Sequence, residues 1–211
     1  MKRLIPVLFA ALALGISLMI WTQLATDRLD QPLSKAASKR TESLDNGLSE
    51  QLRIARMQGS TSAIDKLIES IQQAIAASPQ QKSLWHSLAE SYLERALQRA
   101  HLRGMAPGQP TFSTLPNDFR KDLTLGLEAV EKAREYGDES GELFRIEAAL
   151  MSQHITGVTT AIRWNRKITA SLTQASNRIY GDPKLHVALG LRKLLAPTWF
   201  GNDPEKALEH F

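Results

Sequence analysis

Pro79-Gln80-Gln81-Lys82-Ser83-Leu84-Trp85-His86-Ser87-Leu88-Ala89-Glu90-Ser91-Tyr92 is the stretch that decides the fold. Trp85, Leu88, Ala89 and Tyr92 stand at i, i+3, i+4 and i+7, which places them on one face of a helix. Ala89 is small enough to let a second helix approach, and Trp85 and Tyr92 fill the space beside it. Both aromatics are therefore expected to be buried between neighbouring helices. Just upstream, Ile64, Leu67, Ile68, Ile71 and Ile75 form a single apolar stripe, the mark of an amphipathic helix packed on one side.

The order Trp85…Leu88-Ala89…Tyr92 shortly after Pro79 resembles the first helix of a tetratricopeptide repeat. Leu67, Ile71 and Ala74 stand where the second helix of a preceding repeat places its packing residues. The resemblance runs over 44–211. It implies an all-α fold, a right-handed superhelical array of antiparallel helix pairs that binds partners and is not an enzyme. In that family the first helices line a concave face that touches extended peptides. The corresponding exposed positions are Ser83, His86, Glu90 and Glu94. Some members clamp the terminal carboxylate of chaperone tails with Lys and Asn. His86 and Glu90 occupy those places here, and Glu90 would repel a carboxylate, so a different ligand class is expected.

The start of the chain carries a second signal. Met1-Lys2-Arg3 precedes Leu4 to Trp21, a run without charge. At about 1.5 Å per residue this run just crosses a hydrocarbon core. Trp21 closes it as an interfacial aromatic does. We read 1–26 as a signal anchor with residues 4–21 in the bilayer, 27–43 as a linker, and 44–211 as the helical domain. Cleavage as a secretory signal is the competing reading, but Gln23-Leu24-Ala25 is a poor site because Gln23 is not small. The chain has no Cys, which excludes a lipoprotein signal. Lys2 and Arg3 favour an inside amino terminus, although Arg28, Lys35, Lys39 and Arg40 blunt the asymmetry. The body is then expected in the periplasm, on an inner membrane.

Composition sets the remaining bounds. Of 211 residues, roughly 165 remain after the anchor and linker, one domain's worth. The net charge of +4 reads as spread along the chain, with no basic stripe interleaved with aromatics, so nucleic acid is not an expected partner. Lys35, Lys39 and Arg40 read as a solvated juxtamembrane linker.

Along the body, Leu44, Leu48, Leu52 and Ala55 mark a helix that Gly59-Ser60 interrupts, with Thr61 or Ser62 as the next cap. The signature helix continues to Leu102, its stripe extended by Leu93, Ala96, Leu97 and Ala100. Gly104 to Asn117, with three Pro, is a loop longer than a standard repeat turn. Asn117 or Asp118 caps a helix from Phe119 to Glu135, ended by Gly137. Gly141 to His154 and Val158 to Ala175 form a further pair. Asp182-Pro183 and Asp203-Pro204 each spell a capped helix start. Leu185, Ala188, Leu189 and Leu195 carry the face of the first of these, and Phe211 is expected to fold back onto it. The Trp199-Phe200 turn reads as a docking edge for another subunit.

Gly201-Asn202-Asp203-Pro204-Glu205-Lys206-Ala207-Leu208-Glu209-His210-Phe211 is also similar to the last repeat of periplasmic T components of TRAP transporters. That similarity implies an accessory role in solute transport. Those proteins are usually anchored through a lipidated Cys, which this chain lacks.

Residues for chemistry are scarce. His86, His101, His154, His186 and His210 are scattered, with no helical His pair spaced to chelate, so neither a metal nor another cofactor is expected. No phosphate-cradling loop and no nucleophile motif with partners occurs. Glu147 reads as a surface carboxylate. The expectation is thus a membrane-anchored, non-catalytic helical scaffold whose partners are envelope proteins or extended peptides. The transport-accessory role is the alternative.

Overall fold

A computed structural model describes residues 47–104, 115–196 and 201–211. The apolar leader, the linker, most of the Pro/Gly loop and the Trp199-Phe200 turn lie outside these residues. Eight helices follow one another: α1 over 47–58, α2 Thr61–Ala77, α3 Lys82–Leu102, α4 Asn117–Glu135, α5 Gly141–Gln153, α6 Val158–Ile179, α7 Pro183–Leu195 and α8 Pro204–Leu208. Among the described residues all regular structure is helical, so the chain is all-α there. No helix among them is long and apolar enough to cross a membrane.

The helices form for the local reasons their sequences carry. The α2 stripe of Ile64, Leu67, Ile68, Ile71 and Ile75 is the set of residues it buries. Gly137, with φ of 83°, stops α4. Its left-handed backbone lets Asp138 N donate to Ala133 O and its own N donate to Arg134 O, both at 2.9 Å. Asp182 starts α7 by accepting from Lys184 N and Leu185 N, ahead of Pro183 in the first turn. Asp203 starts α8 in the same manner through Lys206 N.

Two expected caps are corrected. The N-cap of α2 is Ser60 and that of α4 is Pro116, neither with a side-chain bond to the helix. Asn117 instead accepts from the Arg120 guanidinium, and Asp118 accepts from Arg103. Both already lie in the first turn of α4, inside the cap.

Leu48 to Phe211 form one compact unit in which each helix from α2 to α8 packs on the next where the connection is described. Short connections of a few residues make such neighbours antiparallel. α3 also packs against α5, and α5 against α7, so the odd-numbered helices adjoin as a layer. α3 is the central element. It buries Leu84, Leu88, Ala89, Ser91, Tyr92, Leu93, Ala96 and Ala100, more than one face of a helix can hold. α5 joins two cores, giving Leu143, Ile146 and Leu150 to the first and Ala148 and Met151 to the second.

Three expected core positions are corrected. Trp85 is only half-buried, because its indole Nε1 reaches out to donate to Pro79 O at 2.7 Å. Leu84, its neighbour, takes the deep position at 1 % exposure, while Tyr92 is buried as expected. Leu97 and Leu195 are 37 % and 40 % exposed, each at the edge of its helix's packed face. Phe211 does lie on α7. A Cβ built on Gly190 would stand 2.7 Å from its Cζ, so the ring rests on the glycine backbone while its outer side stays open.

Candidate functional site

The four residues expected to line a groove do share one stripe of α3. Ser83, His86, Glu90 and Glu94 fall at i, i+3, i+7 and i+11 and are all partly buried. None of them is idle. Ser83 Oγ accepts from Gln81 Nε2 at 3.2 Å. His86 Nδ1 stands 2.7 Å from Asp138 Oδ2. Glu94 accepts from Arg56 of α1 at 2.5 Å. Glu90 faces three cations: Arg56 at 3.5 Å, Lys184 of α7 at 3.2 Å and Arg145 of α5 at 3.9 Å.

Arg145 and Glu142 extend this into a ladder. They sit at i and i+3 on α5 and form a two-pronged pair at 2.7 Å on both arms. Lys184 bridges Glu142 and Glu90 from the next odd helix. Arg56, Arg145 and Lys184 thus meet Glu90, Glu94 and Glu142, three cations against three anions, across all four odd helices. Burial opposes the charged form of Glu142, yet the Arg145 bonds and the nearby Lys184 charge hold its carboxyl at about 2. Burial likewise opposes Asp138, but the His86 bond and the Ser140 backbone N–H hold it at about 2. Asp138 thereby ties α3 to the turn before α5, and Lys82 Nζ adds a bond to Gly137 O in the same turn.

A second ion network lies between α2, α3 and α4. Asp122 is fully buried, and its two oxygens each take a guanidinium at 2.6 Å, from Arg95 and Arg99. Arg95 also reaches Asp65 at 2.7 Å. Burial pushes the Asp122 carboxyl up, and the two guanidiniums pull against it. A third network corrects the reading of Glu147. It is not a free surface carboxylate but accepts two bonds from Arg134 of α4, at 2.8 and 2.5 Å, and one from Ser171 of α6 at 2.6 Å.

The histidines do not converge on a metal site. Among the described residues no group of three metal-ligating side chains forms. His186 and His210 come nearest, with Nδ1 atoms 3.3 Å apart. His154 is stacked on Trp164 with ring centroids 5.3 Å apart, and burial lowers its pKa. Two depressions among the described residues are open: one of about 460 Å³ between α1 and α2, lined by Gln51, Ile54, Lys66 and Ser70 among others, and one of about 370 Å³ along α4.

Sequence reasoning placed the α3 stripe but missed Arg56, Asp138, Glu142, Arg145 and Lys184. The i, i+3 spacing of Glu142 and Arg145 was a readable signal for a helix-surface pair. The partners on other helices were not readable, since only the packing of the odd layer brings them together. A comparison with protein-family models, curated proteins and solved structures finds no match to this chain.

Proposed function

We propose that this chain is a non-catalytic scaffold of the tetratricopeptide type, tethered to an inner membrane through 4–21 and displaying its helices in the periplasm. It receives envelope proteins or extended peptides on the layer made by its odd helices. The observation that carries the reading is the continuity of that layer, in which α3 packs on α5 and α5 on α7 and one stripe of polar side chains crosses them. Because that stripe is self-neutralised, a partner is expected to meet it with hydrogen bonds and matched charge rather than a single strong ion. The transport-accessory alternative calls for an enclosed apolar chamber, which neither of the two open depressions provides.

Photo-crosslinking residues placed at Ser83 and Glu94, against controls at Glu131 of α4 and Thr173 of α6, test the reading in cells. Adducts from the odd layer alone support it, and adducts from the even helices alone sink it. A reporter fused after Ala77 tests the topology. Activity in the cytoplasm would reverse the assigned side of the membrane.

A further inference from the structure

The surplus of positive charge is not evenly spread. From 148 to 202 the chain has seven Lys and Arg and one acid, Asp182, for a net +6; the remaining residues, with 19 basic and 21 acidic, sum to −2. The centre of this basic quarter is α6, with Arg163, Arg166, Lys167 and Arg178 and no Asp or Glu.

Its outward face combines charge with exposed apolar groups. Val158, Ile162 and Arg166 follow at i, i+4 and i+8, with Arg163 beside Ile162. Val158 is 49 % exposed, Ile162 61 % and the preceding Ile155 37 %. Arg192 of α7 joins this face by donating to Asn165 and Thr169, both neutral. Among the described residues no carboxylate pairs with Arg163, Arg166, Lys167 or Arg192. Two acids that border α6 are engaged elsewhere: Glu147 holds Arg134 and Ser171, and Asp182 caps α7. Arg178 is turned to α5, over the Phe144 ring, and takes no part; Lys167 Nζ lies 5.4 Å from the centre of the Trp164 ring of α6 itself and stays exposed.

The geometry points to the outer face of α6 as a contact for anionic phospholipid, with Arg163, Arg166, Lys167 and Arg192 on headgroup phosphates and Val158 and Ile162 dipping into the interface. A helix with cations flanking a short exposed apolar stripe and no acid is built to lie in the plane of such a surface. An acidic protein would account for the cations, but the two exposed aliphatics along the same stripe favour lipid. This contact draws on the odd helices only through Arg192, about two turns along α7 from Lys184 of the scaffold stripe, so either can fail without the other.

The chain has no cysteine, which makes a single-label test clean. Full-length chain bearing Ile162→Cys or, as control, Gln73→Cys on α2 is labelled with an environment-sensitive dye. It is then mixed with vesicles of phosphatidylcholine alone or with added phosphatidylglycerol, each carrying a lipid-borne quencher. The Ile162→Cys label is expected to be quenched only with phosphatidylglycerol and released by high salt, and the Gln73→Cys label to be unaffected. Each cation removed lowers partitioning by about fivefold, so Arg163→Gln, Arg166→Gln and Lys167→Gln together reduce it on the order of a hundredfold. These side chains are exposed, and an unchanged melting temperature separates the loss from unfolding. Quenching that is absent, equal in both lipids or indifferent to the triple change overturns the proposal. Quenching that needs phosphatidylglycerol in a chain that otherwise stays in solution would sink the membrane anchor and leave this contact standing.

Discussion

Lys184 of α7 donates to Glu90 of α3 at 3.2 Å, across 94 positions of sequence. Each end also contacts α5, Glu90 through Arg145 and Lys184 through Glu142. Two cations of this ladder, Lys184 and Arg145, differ in depth. Lys184 is half open to water, while Arg145 is 10 % exposed at its side chain. Removing the deeply placed Arg145 takes from Glu142 its two-pronged partner and leaves that half-buried carboxylate only Lys184; removing the exposed Lys184 leaves water to replace it.

Arg145→Ala is therefore expected to cost about 3 kcal/mol in urea unfolding. Lys184→Ala is expected to cost under about 1 kcal/mol. Equal costs would mean that the ladder is a surface feature without a buried centre.

Asp122 is held from two sides by Arg95 and Arg99. Asp122→Ala leaves both guanidiniums without their main acceptor and is expected to cost about 3–5 kcal/mol. Asp65→Ala, at the open end of the same network, is expected to cost under about 1 kcal/mol. Thermal melts of the two variants read the difference directly.

Gly126 lets α4 pack closely on α5 and α3. A Cβ there would stand 2.7 Å from Leu150 Cδ2 and 3.4 Å from Tyr92 Cβ. Gly126→Ala is expected to destabilise by about 1–3 kcal/mol through overpacking. In a Leu150→Ala background the same change is expected to cost less, because the clashing methyl is gone. Additive losses would show that the strain lies elsewhere.

Acid should loosen the odd layer. Glu142 and Asp138 are each lowered to about 2, from 4.5 and 3.8. Depressed carboxyls stabilise fully above their unfolded values, and that contribution is lost as pH falls through the folded value. Stability is thus expected to drop between about pH 4.5 and about pH 2. Glu142→Gln with Asp138→Asn should flatten that slope by roughly 1–2 kcal/mol, allowing for partial exposure. A slope identical to the parent's would assign acid unfolding to other groups.

Trp85 acts by a bond as well as by bulk. Trp85→Phe keeps most of the packing and loses the donor to Pro79 O, for an expected cost of about 1 kcal/mol. Trp85→Ala is expected to cost about 2–3 kcal/mol, below the range for a fully buried large aromatic. A larger loss would place the ring deeper than its half-buried position.

Helix existence and phase were legible because their causes are local. The Gly137 stop and the Asp182-Pro183 start act through bonds within a few residues, and the Ile64–Ile75 stripe repeats with the helical period, so spacing and residue type suffice. The Ser83–Glu94 stripe was legible for the same reason: a helix turns by a constant angle, so positions on one face follow from counting. What those residues touch was not legible. His86 finds Asp138, Glu94 finds Arg56, and Glu90 finds Lys184, at separations of 52, 38 and 94 positions. Deep or shallow placement was also beyond the periodic pattern, as Leu84 and Trp85 are adjacent and the smaller one went in. A charged side chain on a helix carries no mark of its partner. Its partner is chosen by which neighbouring helix arrives beside it, and that depends on how the cores on both sides of α5 pack together.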